Sequence, residues 1–206
     1  MLGAVDGCHI GIKAPQERHI DYLNRKMYHS LVLQGISNAR RIFNVYVGCP
    51  GSMHDARVLQ NSNIFLHAEN GTLVPADKHI IGDSAYPLKT WLLAPYRDTG
   101  KLTHTERRFN KRLSQTRVSI EHTFGLLKNR FRRLLHTVDA SPEFASKIVV
   151  AACVLHNVCQ DDTADVSDFE ENGSMADSYV CTVTDSSDAD EPAKLKRKRI
   201  AESFML

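Results

Sequence analysis

The chain has 206 residues, 42% of them hydrophobic, which is enough for one sizeable core with a tail left over. Its formal charge of +2 hides a division: residues 1–158 carry 21 Lys and Arg against 12 Asp and Glu, whereas residues 159–193 hold 11 acidic residues and no Lys or Arg. The basic part suits a polyanionic partner, the longest apolar run (Ile148 to Leu155) is far short of the ~20 residues of a membrane span, and five scattered cysteines with no secretory signal point to free thiols in a reducing compartment.

In chain order, Leu2-Gly3-Ala4-Val5 reads as a strand already under way. Ser30 to Ser37 and Ile42 to Cys49 are β-rich runs joined by Asn38-Ala39-Arg40-Arg41, a hairpin by spacing. Pro50-Gly51 stops the second run, and a short helix is expected from about Met53 to Asn61 with Ser52 as its cap. His79 to Gly82 is a further short strand ending at Asp83. From Glu106 onward, Phe109, Leu113, Ile120, Phe124, Leu127, Phe131 and Leu134 recur at helical spacing along one apolar face, with Arg and Lys on the other. Ser141-Pro142-Glu143 opens a last helix, cap residue then proline, running to about Cys159. Residues 160–193 are Asp-, Ser-, Thr- and Glu-rich and cannot bury enough surface to offset ordering entropy, so residues 160–206 are expected to be a disordered acidic tail ending in a basic cluster.

Four carboxylates stand out by position. Asp6 follows the first strand and precedes Gly7; Asp55 sits in Pro50-Gly51-Ser52-Met53-His54-Asp55; Asp83 ends the strand Ile80-Ile81-Gly82; Glu121 lies beside the apolar stripe of the long helix. Carboxylates at strand ends and on an adjoining helix can converge, and hard cations such as Mg²⁺ take a few carboxylates plus waters and phosphates. A structural reading stands beside each. Asp6-Gly7 can form a turn, Asp55 can complete a capping box with Ser52, Asp83 can cap the following turn, and Glu121 can pair with Arg117 one helical turn back.

A series of blocks decides between them. Gly3-Ala4-Val5-Asp6-Gly7-Cys8-His9-Ile10, Asn24-Arg25-Lys26 with His29-Ser30, and Pro50 to Asp55 resemble successive blocks of the PIF/Harbinger DDE transposase domain. So do Gly82-Asp83-Ser84-Ala85-Tyr86, Leu93 to Tyr96, Phe109-Asn110, Glu121 to Lys128 with Arg130-Phe131, and Leu155-His156-Asn157. The resemblance implies an RNase H-like α/β fold, a mixed central sheet flanked by helices, over residues 1–159. It implies that Asp6, Asp83 and Glu121 are the catalytic acids, holding divalent cations (Mg²⁺ or Mn²⁺), with Asp55 as a fourth metal-site residue. It also implies DNA as partner, with a separate Myb-like DNA-binding accessory protein; the expected location is the nucleus, with the cytoplasm second. Two departures are visible. The chain begins inside the first catalytic strand, without the helical DNA-binding region usual in the family, and Cys8 stands where the family usually has Thr.

The expected activity is therefore metal-dependent hydrolysis of DNA phosphodiester bonds. The rival readings are a domesticated, inactive DNA- or protein-binding module and a truncated transposase product. Arg25, Lys26, Lys128 and Arg130 are candidate phosphate contacts, set against an ordinary solvated surface. Lys194-Leu195-Lys196-Arg197-Lys198-Arg199 has the composition of a nuclear import signal. Cys153, His156 and Cys159 recur every three residues on the last helix, but structural zinc needs a fourth ligand, so core packing for Cys153 and a hydrogen-bonded, buried His156 are expected instead.

Overall fold

The first strand runs further than its apolar start suggests. In the structure, a computed structural model that describes residues 1–161 and 191–204, β1 spans Gly3–Gly11, so Asp6-Gly7 lies within the strand and not in a turn. Strands β2 (Ser30–Asn38) and β3 (Arg41–Pro50) form the expected hairpin, reversing at Ala39, which takes a left-handed φ of 54°. Two short strands follow, β4 (Ile80–Ile81) and β5 (Leu92–Leu93), the latter not foreseen as a strand. The sheet order is β3-β2-β1-β4-β5, with β1, β2 and β3 antiparallel and β1, β4 and β5 parallel. This mixed sheet flanked by helices is the α/β architecture that the resemblance implied.

Helices cover both faces. Between β3 and β4 stand α1 (Asp55–Gln60) and α2 (Asn63–Glu69). The expected helix from Met53 to Asn61 is thus shorter, and a second one follows it. Its N-cap is His54, with no side-chain cap bond, so Asp55 is not held in a capping box with Ser52. Leu59 and Ile64 pack with Val5, Ile36, Trp91 and Leu92 on that face of the sheet.

The opposite face carries the larger core. The long helix α3 (His104–Arg130) starts at a capping box in which Thr103 and Glu106 satisfy each other's N–H groups, and it buries Phe109, Leu113, Ile120, Phe124 and Leu127. It ends before Phe131 and Leu134, which extend the same apolar stripe through a short 3₁₀ turn at Arg132–Leu135. The last expected helix is α4 (Pro142–Asp161), where Ser141 Oγ accepts from the Phe144 N–H. Ala145, Val149, Ala152, Cys153 and His156 face inward, while Phe144, Val154, Leu155 and Val158 are exposed.

The end of the chain departs from expectation. Glu191–Ser203 form a helix, α5, docked on the main core. Ala193 and Ala201 are buried, and Phe204 stacks on Phe109 with ring centroids 6.2 Å apart. Lys196 Nζ donates to the carbonyls of Ala76 (2.9 Å) and Lys78 (2.7 Å); Arg197 donates to those of Ala94 and Pro95 (3.1 Å each) and lies 3.8 Å over the Tyr96 ring. The basic run is therefore an anchoring element, with two of its cations turned inward. The expected disorder over residues 162–190 lies outside the described residues.

Candidate active site

Sheet register places two of the acids side by side. In the parallel pair β1–β4, Ala4 stands opposite Ile81; Asp6 and Asp83 each lie two residues further on. Two residues is one pleat repeat, so both emerge at the same level on neighbouring chain segments, whose usual spacing is about 4.8 Å. Asp83 leaves the strand there, and its Oδ1 accepts from the Ala85 N–H at 2.8 Å.

Asp55 comes from the other side of β1. Its carboxylate fills the space where a side chain at position 7 would stand, so a Cβ on Gly7 would collide with Asp55 Oδ1. The glycine after Asp6 thus makes room for a second carboxylate. Glu121 arrives on α3. One turn later, Phe124 presses on Gly35, the residue that pairs with Asp6 across β1 and β2, which sets the Glu121 turn of the helix over the Asp6 end of the sheet.

Arg117 ties these groups together. Its Nη2 lies 3.0 Å from Asp6 Oδ2 and 3.4 Å from Glu121 Oε1, so two of the expected catalytic acids share one guanidinium nitrogen. Burial pushes the Asp6 carboxyl up to about 6 against the pull of Arg117, and Asp83 adds to the push. Asp55 is pushed up to about 7 by burial and then by the charges of Asp6 and Asp83, against Arg25 and Arg117. Carboxylates that share a partly buried site cannot all ionise cheaply.

Among the described residues no three His, Cys, Asp or Glu side chains form a ready-made cation cage. The donor set nevertheless fits a hard divalent ion in kind: it is all oxygen, mutually repelling and partly buried. Two buried polar atoms beside it, the Tyr86 hydroxyl and Arg117 Nε, have no hydrogen-bond partner. A cation would relieve the repulsion; Arg117 bonds only Asp6 and Glu121 and leaves Asp55 still pushed up.

The expected phosphate contacts divide. Asn24, buried, accepts from the N–H groups of Lys26 and Tyr28 and donates to Ser30 Oγ, shaping a loop that leaves Arg25 and Lys26 exposed. Arg25 contacts His54 Nδ1 at 3.1 Å, next to Asp55. Lys128 instead donates to the His9 carbonyl and Arg130 to the His156 carbonyl. Along the same helix Arg107 donates to the Leu102 carbonyl, and Arg112 sits 4.6 Å over the Phe204 ring. Much of the basic face of α3 is therefore engaged within the fold, while Arg108 and Lys111 on it, and Arg132 and Arg133 on the turn after it, are exposed with no such bond.

Sequence reasoning took Arg117 only as a helix partner of Glu121 and gave Tyr86 no role. The arginine's bond to Asp6 is a long-range contact that spacing on one helix cannot reveal. Tyr86 carried one visible signal, an aromatic residue three positions after a candidate catalytic aspartate. On α4, His156 is fully buried, with Nε2 at 2.9 Å from the Arg40 carbonyl, and Cys153 is buried in the core.

Comparison with known proteins agrees with this picture. Residues 5–157 match a family described as DDE superfamily endonuclease. The chain is 39% identical over 170 residues to a Rattus norvegicus protein named "Putative nuclease HARBI1", covering 81% of this chain and 48% of that one. It is 37% identical over 179 residues to the Homo sapiens protein of the same name, covering 85% and 50%. An Arabidopsis thaliana protein named "Protein ALP1-like" is 31% identical over 176 residues, covering 77% and 43%. The chain spans about half the length of the curated relatives it matches. No solved structure matches it.

Proposed function

This chain belongs to the DDE superfamily endonucleases, and we propose that it is a divalent-metal-dependent nuclease that hydrolyses DNA phosphodiester bonds. The observation that carries the reading is the convergence of acids from β1, the end of β4, α1 and α3 on one end of the sheet, where burial holds Asp6 and Asp55 in mutual repulsion. Asp6, Asp83 and Glu121, with Asp55, are the residues to hold Mg²⁺ or Mn²⁺. Two such ions would supply an activated water at neutral pH and positive charge for the departing oxygen.

The chain's own side chains do the rest. Asp6 and Glu121 are released by Arg117, which then faces the substrate as a cation. Asp55, pushed up to about 7, would give up its proton to hold a cation. Arg25, on the loop shaped by Asn24 beside His54, binds a phosphate of the incoming strand. No recognition helix is assigned among these elements, so attraction to DNA is a sequence-independent phosphate effect, in the ~10⁻⁴–10⁻⁶ M range at physiological salt. DNA as substrate makes the nucleus the working compartment. Lys196 and Arg197 are committed to docking α5, so an import signal in that run becomes readable only when α5 detaches.

One observation favours the second reading, a retired site kept for binding: Arg117 already neutralises Asp6 and Glu121. Nicking of supercoiled plasmid separates the two. The nuclease reading expects cleavage with Mg²⁺ or Mn²⁺, none with chelator, 3′-hydroxyl ends, and loss of cleavage in Asp83→Ala with the fold retained. No cleavage by the wild type, or equal cleavage by both proteins, rejects it.

A further inference from the structure

The ring of Tyr86 is fixed in the smaller core with Val5, Leu59, Trp91 and Leu92, and the residue is 3% exposed. The residue before Asp83 makes this possible: a Cβ on Gly82 would stand 2.8 Å from the Tyr86 ring. The hydroxyl at the end of this clamped ring has no hydrogen-bond partner. It lies within electrostatic reach of Asp55, Asp6 and Asp83, with Asp55 acting most strongly, and burial together with these three charges holds it protonated. It is therefore an unpartnered donor within electrostatic reach of the acids and bonded to none of them.

A buried hydroxyl left unpaired is unfavourable, and phenylalanine would fill the same space without that penalty. Packing accounts for the ring and leaves the oxygen unexplained. We propose that Tyr86 is a positioning residue for the acid cluster: its hydroxyl donates to Asp55, directly or through one water, when a divalent cation draws the carboxylates together. Such an outer bond fixes the orientation of a ligating carboxylate, and losing one typically weakens metal binding by about 10–100-fold. The residue would thus be slightly unfavourable in the metal-free protein and favourable in the loaded one, a pattern that a purely structural tyrosine does not show.

This inference rests on the reading of the acids as a cation site, and the test separates the two. Mn²⁺ binding to the full chain is measured by calorimetry, and thermal unfolding is followed in chelator, for wild type, Tyr86→Phe and Asp83→Ala. The expected result is Mn²⁺ binding by the wild type, none measurable in Asp83→Ala, and about 10–100-fold weaker binding in Tyr86→Phe, whose melting temperature in chelator equals or exceeds that of the wild type. Tyr86→Phe binding as tightly as wild type, or melting several degrees lower in chelator, overturns the proposal while leaving the cation site standing. A wild type that binds no Mn²⁺, or Asp83→Ala binding it equally well, overturns the cation site and this inference with it.

Discussion

At the edge of the sheet, the Asn157 amide on α4 accepts from the Ile42 N–H at 2.9 Å and donates to the carbonyl of the same residue. Among the described residues no strand pairs with β3 on that side, so one side chain satisfies the edge backbone there. Beside it, His156 bonds the Arg40 carbonyl. At the acid end of the same sheet the pattern reverses. Asp6, Asp55 and Asp83 repel one another, and the Tyr86 hydroxyl and Arg117 Nε lack partners. Both regions are part-buried polar clusters drawn from blocks that stand out in the sequence. The first pairs the edge backbone with side-chain groups, leaving His156 Nδ1 as its unpartnered atom, and holds the fold together. The second leaves charge and hydrogen-bonding capacity unspent, as expected where the fold tolerates strain for a ligand's sake.

If that contrast is right, substitutions in the two regions should fail in opposite ways. The largest effect is expected for Glu121→Gln. Its carboxylate is 45% exposed and makes only a 3.4 Å ion pair with Arg117, so the melting temperature should move by no more than about 1–2 °C. Metal-dependent nicking should fall by about a thousand-fold or more if, as proposed, Glu121 is one of the carboxylates that hold the cation. A variant that nicks like the wild type would remove Glu121 from the site. Asn157→Ala should do the reverse. Losing both bonds to Ile42 is expected to cost about 2 kcal/mol, or roughly 4–8 °C in melting temperature, with nicking per folded molecule unchanged. Unaltered stability would show that the edge strand needs no such support.

The smallest effect is expected for Arg25→Ala, next to the acids but exposed. DNA affinity should drop about equally on unrelated duplexes, and the slope of log affinity against log salt should shrink by about one. An affinity loss confined to one duplex would mean that Arg25 reads bases.

The same contrast explains what the sequence could and could not reveal. The β2–β3 hairpin, α3 and α4 are legible because their apolar residues recur with the period of the element and their caps lie at fixed offsets, Thr103 with Glu106 and Ser141 before Pro142. The acids were legible as residues, through the family resemblance, but not as an arrangement. Asp55 stands next to Asp6 because Gly7 leaves room for it, a contact between positions 48 residues apart. Strand β5 is only two residues long and has no period to detect. Helix α5 was hidden by composition: its docking side includes Lys196 and Arg197, which bury their stems and send their charges to backbone carbonyls. A stripe made partly of cations reads as solvent-exposed.

The most direct test of the central claim, that the acid end is built for a cation, is thermal unfolding of the wild type at pH 5 and pH 8, in chelator and in saturating Mn²⁺. Folding raises Asp6 from its ordinary 3.8 to about 6 and Asp55 to about 7. Between these values the folded state binds more protons than the unfolded one. The two groups therefore contribute stability that is fully present below about 4 and lost as pH rises through about 7. In chelator these two groups favour pH 5 over pH 8, whereas His9, His79 and His156, each held below its ordinary value by burial, favour pH 8, so the cation is read from the shift between chelator and Mn²⁺ at each pH. Mn²⁺ should raise stability at pH 8, where the carboxylates are ionised and ready to bind, and do much less at pH 5, where protons compete for the same oxygens. Mn²⁺ that leaves the pH 8 transition where chelator leaves it, or shifts both transitions equally, would contradict the account.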